Sequence, residues 1–270
     1  MFDFTSFLNW KLLTGSHPFP GPDGGTCINE AAIIAAGLPY RRVCSVSDCP
    51  PCFSRPLAAY ALSLNDGIRD GALRQKLLLP FVSRLAGSAD SIEVESERVK
   101  TILMGVVTRV LPPSVESYGC AAEALACRSA TSLEQAGFAV QRALEAIDKI
   151  PGLVPAQERH RSDYVEGVSS LISAFVYIGH YRHEGSEQRL PEAASCCAAA
   201  AITAATLSRQ DWSFVPFPDP ERVETFERAA ELLDEAMKIG KQAEPIRIAD
   251  VVTRFDRAKE ESPLREPALD

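Results

Sequence analysis

The chain predicts an all-α fold, a multi-helix bundle or irregular helical array whose N-terminal segment is rich in Pro, Gly and Cys. Three observations predict it. Beyond Arg55 apolar residues recur three and four apart, and no sustained alternation of period two marks a strand. Pro, Gly, Ser and Asp punctuate these runs where helices start and stop. The stretch 191–208 is so rich in alanine that it reads as a helix packed closely between neighbours. Roughly nine to eleven helices with short connections follow from this pattern.

Each element has a local reason. Residues 3–13 form a short amphipathic helix, with Phe4, Phe7, Leu8 and Leu12, joined by Trp10, on its apolar side and Gly15 at its end. Pro18, Pro20 and Pro22 each fix φ and remove a backbone donor, so 16–23 is neither helix nor central strand. Asp23-Gly24-Gly25 supplies turn chemistry, Thr26 is placed to cap a helix, and Cys27 takes its first position. Gly37 and Pro39 end that helix. Residues 41–54 are irregular. Ser54 caps a helix over 55–65, with Pro56 in its first turn and Asn65-Asp66-Gly67 as its stop.

In the helix over 70–86, Leu73, Leu77, Phe81 and Leu85 lie four apart, and Pro80 predicts a break near Leu79. A long helix over 91–111 stops at Pro112-Pro113, Ser114 caps 115–130, and Ser132 caps the next, with Phe138, Leu144 and Ile147 as its apolar residues. Further helices follow over 156–183, 191–208, 220–239 and 245–259. Residues 143–150 and 232–239 look alike, but no fixed period links further copies, so no solenoid is expected. The domain reading is an N-terminal part over 1–112, an Ala-rich part over 113–260 packed on it as one unit, and a tail over 261–270.

Composition narrows the function. The 270 residues suffice for a sizeable core, and 46% hydrophobic with 24% charged is ordinary for a soluble globular protein. A net charge of −8 argues against nucleic-acid binding through bulk charge. No apolar run is long enough to span a bilayer. Eight cysteines are too sparse for a disulfide scaffold, and the first residues lack a basic, then apolar, leader. The expectation is a cytoplasmic protein with reduced thiols.

The string Gly15-Ser-His-Pro-Phe-Pro-Gly-Pro-Asp-Gly-Gly-Thr-Cys-Ile-Asn-Glu-Ala-Ala, with Pro50-Pro-Cys-Phe-Ser-Arg-Pro and Leu79-Pro-Phe-Val-Ser-Arg-Leu-Ala-Gly-Ser-Ala-Asp, resembles a group of uncharacterised bacterial proteins. The resemblance covers residues 9–111. It implies a bacterial or phage origin and an Ala-rich helical C-terminal part, and assigns no catalytic residue.

Four groups of residues are candidate sites. Cys27, Cys44, Cys49 and Cys52 include one C-x2-C and could supply four thiolates to zinc or an iron–sulfur cluster, although a second C-x2-C is missing. Cys27 at a helix start could be a nucleophile with His17, in the same loop, or His160, His180 or His183 as its base, against which Glu30 one turn on would raise the thiol pKa. His180, His183 and Glu184 share one side of a helix end, where cationic residues are favourable without any site. Trp212, Phe214 and Phe217 form an aromatic, Pro-rich loop suited to contact with a partner. The leading expectation is a helical interaction or scaffolding protein without catalytic activity or cofactor. Its partner would be a protein, with homo-oligomerisation allowed, and the Pro/Gly/Cys loop would be a contact or structural element. The alternative is a thiol-centred site, either zinc- or cluster-bound or nucleophilic.

Overall fold

The computed structural model describes residues 10–20, 24–153, 155–184, 188–207, 220–244 and 246–261. The fold is all-α. Helices α1 (Ile28–Ala35), α2 (Arg55–Gly67), α3 (Gly71–Leu78), α4 (Val82–Leu85), α5 (Ile92–Gly105) and α6 (Leu111–Ser117) come first. Then follow α7 (Ala121–Arg128), α8 (Leu133–Asp148), α9 (Pro155–Glu184), α10 (Arg189–Thr206), α11 (Pro220–Met237) and α12 (Ile248–Glu260). A 3-10 turn over Leu79–Phe81 joins α3 to α4, and a π-helical turn over Val106–Val110 joins α5 to α6.

Helix α10 is the hub. It packs on α9, α2, α11, α5 and α6. Ala193, Ala194, Ala198, Ala200, Ala201, Ala204 and Ala205 of α10 are buried, so backbones approach closely there. One such approach is marked by Gly167 of α9, where an added Cβ would fall 2.2 Å from Thr203 Oγ1. Helix α11 also packs on α5, and α12 on α1, so helices after residue 113 lie directly on those before it.

Several boundaries obey local chemistry. Ser54 and Ser132 cap α2 and α8 by accepting from Leu57 N and Gln135 N at 3.3 and 3.2 Å. Gly37 has φ +72°, and Leu38 N and Gly37 N donate to Ile33 O and Ile34 O at 3.1 and 2.8 Å, closing α1 in a Schellman motif. The break at Leu79 falls where Pro80 requires it.

Other expectations are corrected. Of the helix expected over 3–13, residues 3–9 lie outside the described residues, and Lys11–Leu12 is instead a strand, β1, paired in parallel with β2 (Gly24–Thr26). Trp10 and Leu12 are buried on either side of exposed Lys11, a period of two. Leu12 N donates to Gln75 Oε1 at 2.9 Å, and Trp10 Nε1 to Thr26 Oγ1 at 2.9 Å. Thr26 therefore does not cap α1. Cys27 does. Helix α2 also runs through Asn65-Asp66-Gly67 rather than stopping before it.

Pro112-Pro113 does not end a helix either. Both sit in the first turn of α6, where a missing amide costs least. The π turn before them widens the hydrogen-bond register, with Leu111 N donating to Val106 O, and makes room for the rings. Ser114 is then no cap. Its Oγ donates to Leu111 O at 2.8 Å and meets Tyr164 OH at 2.6 Å. The helix expected over 115–130 is split at Gly119, whose φ is +82°. Phe138 does not enter the core of α8; it is 62% exposed.

Candidate functional site

The N-terminal loops converge on one carboxylate. Glu30 is fully buried in the first turn of α1. Its Oε1 accepts from His17 N at 2.9 Å and Val43 N at 3.0 Å. Its Oε2 accepts from Cys27 N at 2.9 Å and meets His17 Nδ1 at 3.2 Å. Three backbone segments, 16–20, 27–30 and 43–45, are thus pinned to one side chain. Burying a carboxylate is costly unless hydrogen bonds replace its water, and here they do. Tyr40 adds a strut, its OH donating to His17 O at 2.7 Å.

Cys27 has a structural use in this arrangement. It is the N-cap of α1, its Sγ accepting from Glu30 N at 3.5 Å while Glu30 accepts from Cys27 N, a capping box with sulfur in place of hydroxyl. Burial pushes the thiol pKa well up, and the neighbouring Glu30 carboxylate raises it further. The site thus brings Cys27 and His17 together on Glu30, but holds the thiol neutral at the pH where a nucleophile would need to be thiolate.

The other thiols are scattered in character. Cys49 is buried, and loss of water pushes its pKa up to about 12. Cys44 is exposed, its Sγ 3.5 Å from Ser16 Oγ. Cys52 is half-buried and lines a cleft of about 560 Å³ with Leu38, Gly87 and Arg254. Among the described residues no group of three or more His, Cys, Asp or Glu side chains is placed to hold a metal ion, so Cys27, Cys44, Cys49 and Cys52 are not gathered into a tetrahedral set. His180, His183 and Glu184 fall in the last turn of α9, with side chains outside the described residues. Trp212, Phe214 and Phe217 also lie outside them.

A second polar node supports the loops from below. Ser54 Oγ donates to Glu95 Oε2, and Ser54 N donates to Ser88 Oγ at 3.1 Å. Arg98, fully buried, donates to Ser88 O at 2.6 Å, Glu95 Oε1 at 3.1 Å and Ile239 O at 2.8 Å. Gly87 N and Ala89 N both donate to Cys52 O at 3.0 Å. The stretches 50–56 and 79–90 are therefore joined here, and Leu38, Cys52 and Gly87 share one cleft wall.

Beside the Glu30 node lies a cleft of about 450 Å³. One wall is Phe19, Pro20, Leu38 and Tyr40, and the other is Arg254, Arg257 and Ala258 of α12 with Glu261 just beyond its end. Phe19 is 44% exposed and stacks on Tyr40 with ring centroids 6.5 Å apart. Arg254 Nη1 donates to Ala35 O, capping the C-terminus of α1 and fixing α12 against it. Sequence reasoning found Cys27 and His17 but not the part played by Glu30, nor Phe19, Tyr40 and Arg254. The Cys27-x-x-Glu30 spacing, read as a capping box, was the signal available for the first of these.

No family model, curated protein or solved structure matches the chain. No helix among the described residues is long and apolar enough to cross a membrane.

Proposed function

We propose that the chain is a helical protein-interaction module without catalytic activity, whose N-terminal Pro/Gly/Cys loops form a pre-shaped contact surface. The observation that carries this reading is the Glu30 node. Four hydrogen bonds to one buried carboxylate hold loops that would otherwise pay an ordering cost on binding. The surface so fixed carries an exposed aromatic residue, Phe19, over an open cleft, the kind of anchor interfaces use. The acidic overall charge suits contact with proteins better than with nucleic acid. The thiol that could have served as nucleophile caps a helix instead.

Two measurements test this. Iodoacetamide at neutral pH should modify no thiol faster than an unperturbed cysteine; one hyper-reactive thiol, above all at Cys27, would overturn the non-catalytic part. A photoreactive phenylalanine analogue at Phe19 should cross-link one defined polypeptide other than the chain itself in cells, and the same analogue at Phe138 should not. Equal labelling from both positions would remove the special status of the loops.

A further inference from the structure

The large apolar residues that reach solvent are not spread evenly. Among the described residues six are exposed, and four of these, Leu125, Phe138, Ile172 and Val176, lie on α7, α8 and α9. Phe138 is the most exposed of the six. A Cβ added at Gly137 would fall 3.9 Å from the ring of Phe175, so Gly137-Phe138 of α8 and Phe175-Val176 of α9 run side by side. Exposed apolar residues gathered in this way mark an interaction site, where single scattered ones do not.

The polar residues of α8 are symmetric about Phe138. Glu134 precedes it by four positions and Arg142 follows it by four. Gln135 precedes it by three and Gln141 follows it by three. All four are exposed, and positions three and four away lie on the side of the helix that Phe138 occupies.

We propose that α8 joins two copies of the chain in a twofold homodimer, with Phe138 on the axis and the two α8 helices antiparallel. In such an isologous contact each position after Phe138 meets the position equally far before it in the second copy. Arg142 then faces Glu134 of the second copy on both sides of the axis, Gln141 faces Gln135, and the two Phe138 rings bury each other. Glu145 faces Thr131, so no like charges oppose at these positions. Charge complementarity selects a second copy over an unrelated protein. An unrelated partner accounts for an exposed ring, but not for an acid and a base at equal distances on opposite sides of it. Within one copy Arg142 reaches Glu123 at 3.6 Å with its side chain 66% exposed, a long surface contact that competes weakly. The proposal is independent of the reading of the N-terminal loops.

The test uses the full chain and reads its mass by sedimentation equilibrium over a range of concentrations. The chain should be a dimer at about 100 μM and dissociate on dilution. Phe138→Ser should weaken the dimer about tenfold, as loss of a central aromatic does. Glu134→Arg should weaken it about tenfold too, because Arg then faces Arg142 on both sides of the axis, and Arg142→Glu should do so by opposing two pairs of Glu. Mixed in equal amounts, the Glu134→Arg and Arg142→Glu chains should form a heterodimer about as tight as the natural dimer, since every Arg again faces a Glu. The two substitutions in one chain should likewise restore the homodimer. Such rescue separates lost contacts from lost fold, because a misfolded variant rescues nothing. A monomer at about 100 μM would overturn the proposal, and so would a dimer indifferent to Phe138→Ser. A dimer that needs Phe138 but ignores the charge changes, or that mixing fails to restore, would overturn the antiparallel register and the choice of a second copy that rests on it.

Discussion

In the N-terminal loops one buried carboxylate organises three stretches of backbone, whereas the buried side chains of α10 are Ala, Cys, Leu and Thr. The first region holds its shape by directional bonds and the second by volume. The difference follows from what each must do. Loops with several prolines cannot satisfy their amides in regular structure, so a side chain must accept them. Helices already satisfy theirs, and only close packing remains to be arranged. Directional bonds can fix an irregular surface, and packing of small residues can only bring regular elements together.

The largest expected effect comes from Glu30→Ala. It leaves the amides of His17, Cys27 and Val43 without their acceptor and should cost about 3 kcal/mol in urea unfolding. Faster hydrogen exchange should appear in 16–20 and 43–45 and not in α10. A cost below about 1 kcal/mol would mean that packing, not Glu30, holds the loops.

Gly167→Ala probes the other region. The new Cβ would overlap Thr203, an overpacking cost of about 1–3 kcal/mol set against about 1 kcal/mol of gained helix propensity. A net loss of up to about 2 kcal/mol should be largely restored by adding Thr203→Ala. Failure of that rescue would show that more than volume governs the α9–α10 contact.

A smaller effect concerns the second polar node. Burial raises the pKa of Glu95 above its ordinary 4.5, despite Ser54 and Arg98. A carboxyl raised on folding contributes fully to stability below its unfolded pKa, and that contribution fades as pH rises from about 4.5 through the folded value. Glu95→Gln should therefore flatten the pH dependence of stability in that window, because the amide keeps an acceptor for Asp90 N. An unchanged profile would show that Glu95 titrates as it does in the unfolded chain.

The smallest effect is one of rate. Native labelling with a disulfide reagent should reach exposed Cys44 first and half-buried Cys52, Cys120 and Cys196 next. Cys27 and Cys197, whose thiols burial pushes up, should wait for unfolding. Early labelling of Cys27 would contradict its place in the capping box.

The sequence made much of the helical framework legible, and the candidate site much less so. Ser54, Ser132, Gly37 and Pro80 act on residues within one or two turns, so their effects can be read from neighbours. Trp10–Leu12 was misread because a three-residue alternation is too short to distinguish from the edge of an amphipathic helix. Pro112-Pro113 was misread because a stop signal and a first-turn pair look the same until the preceding π turn is seen.

The sequence by itself determined the helical class, the caps at Ser54 and Ser132 and the irregular character of residues 16–20, because these depend on short-range sterics and hydrogen bonding. Only the tertiary structure decided that Glu30 would accept from His17 and Val43, each thirteen positions away, and that Arg254 would reach Ala35 across 219. Those bonds depend on which segments the packed helices bring together. No local pattern encodes that, and it is there that the cleft between Phe19 and α12 arises.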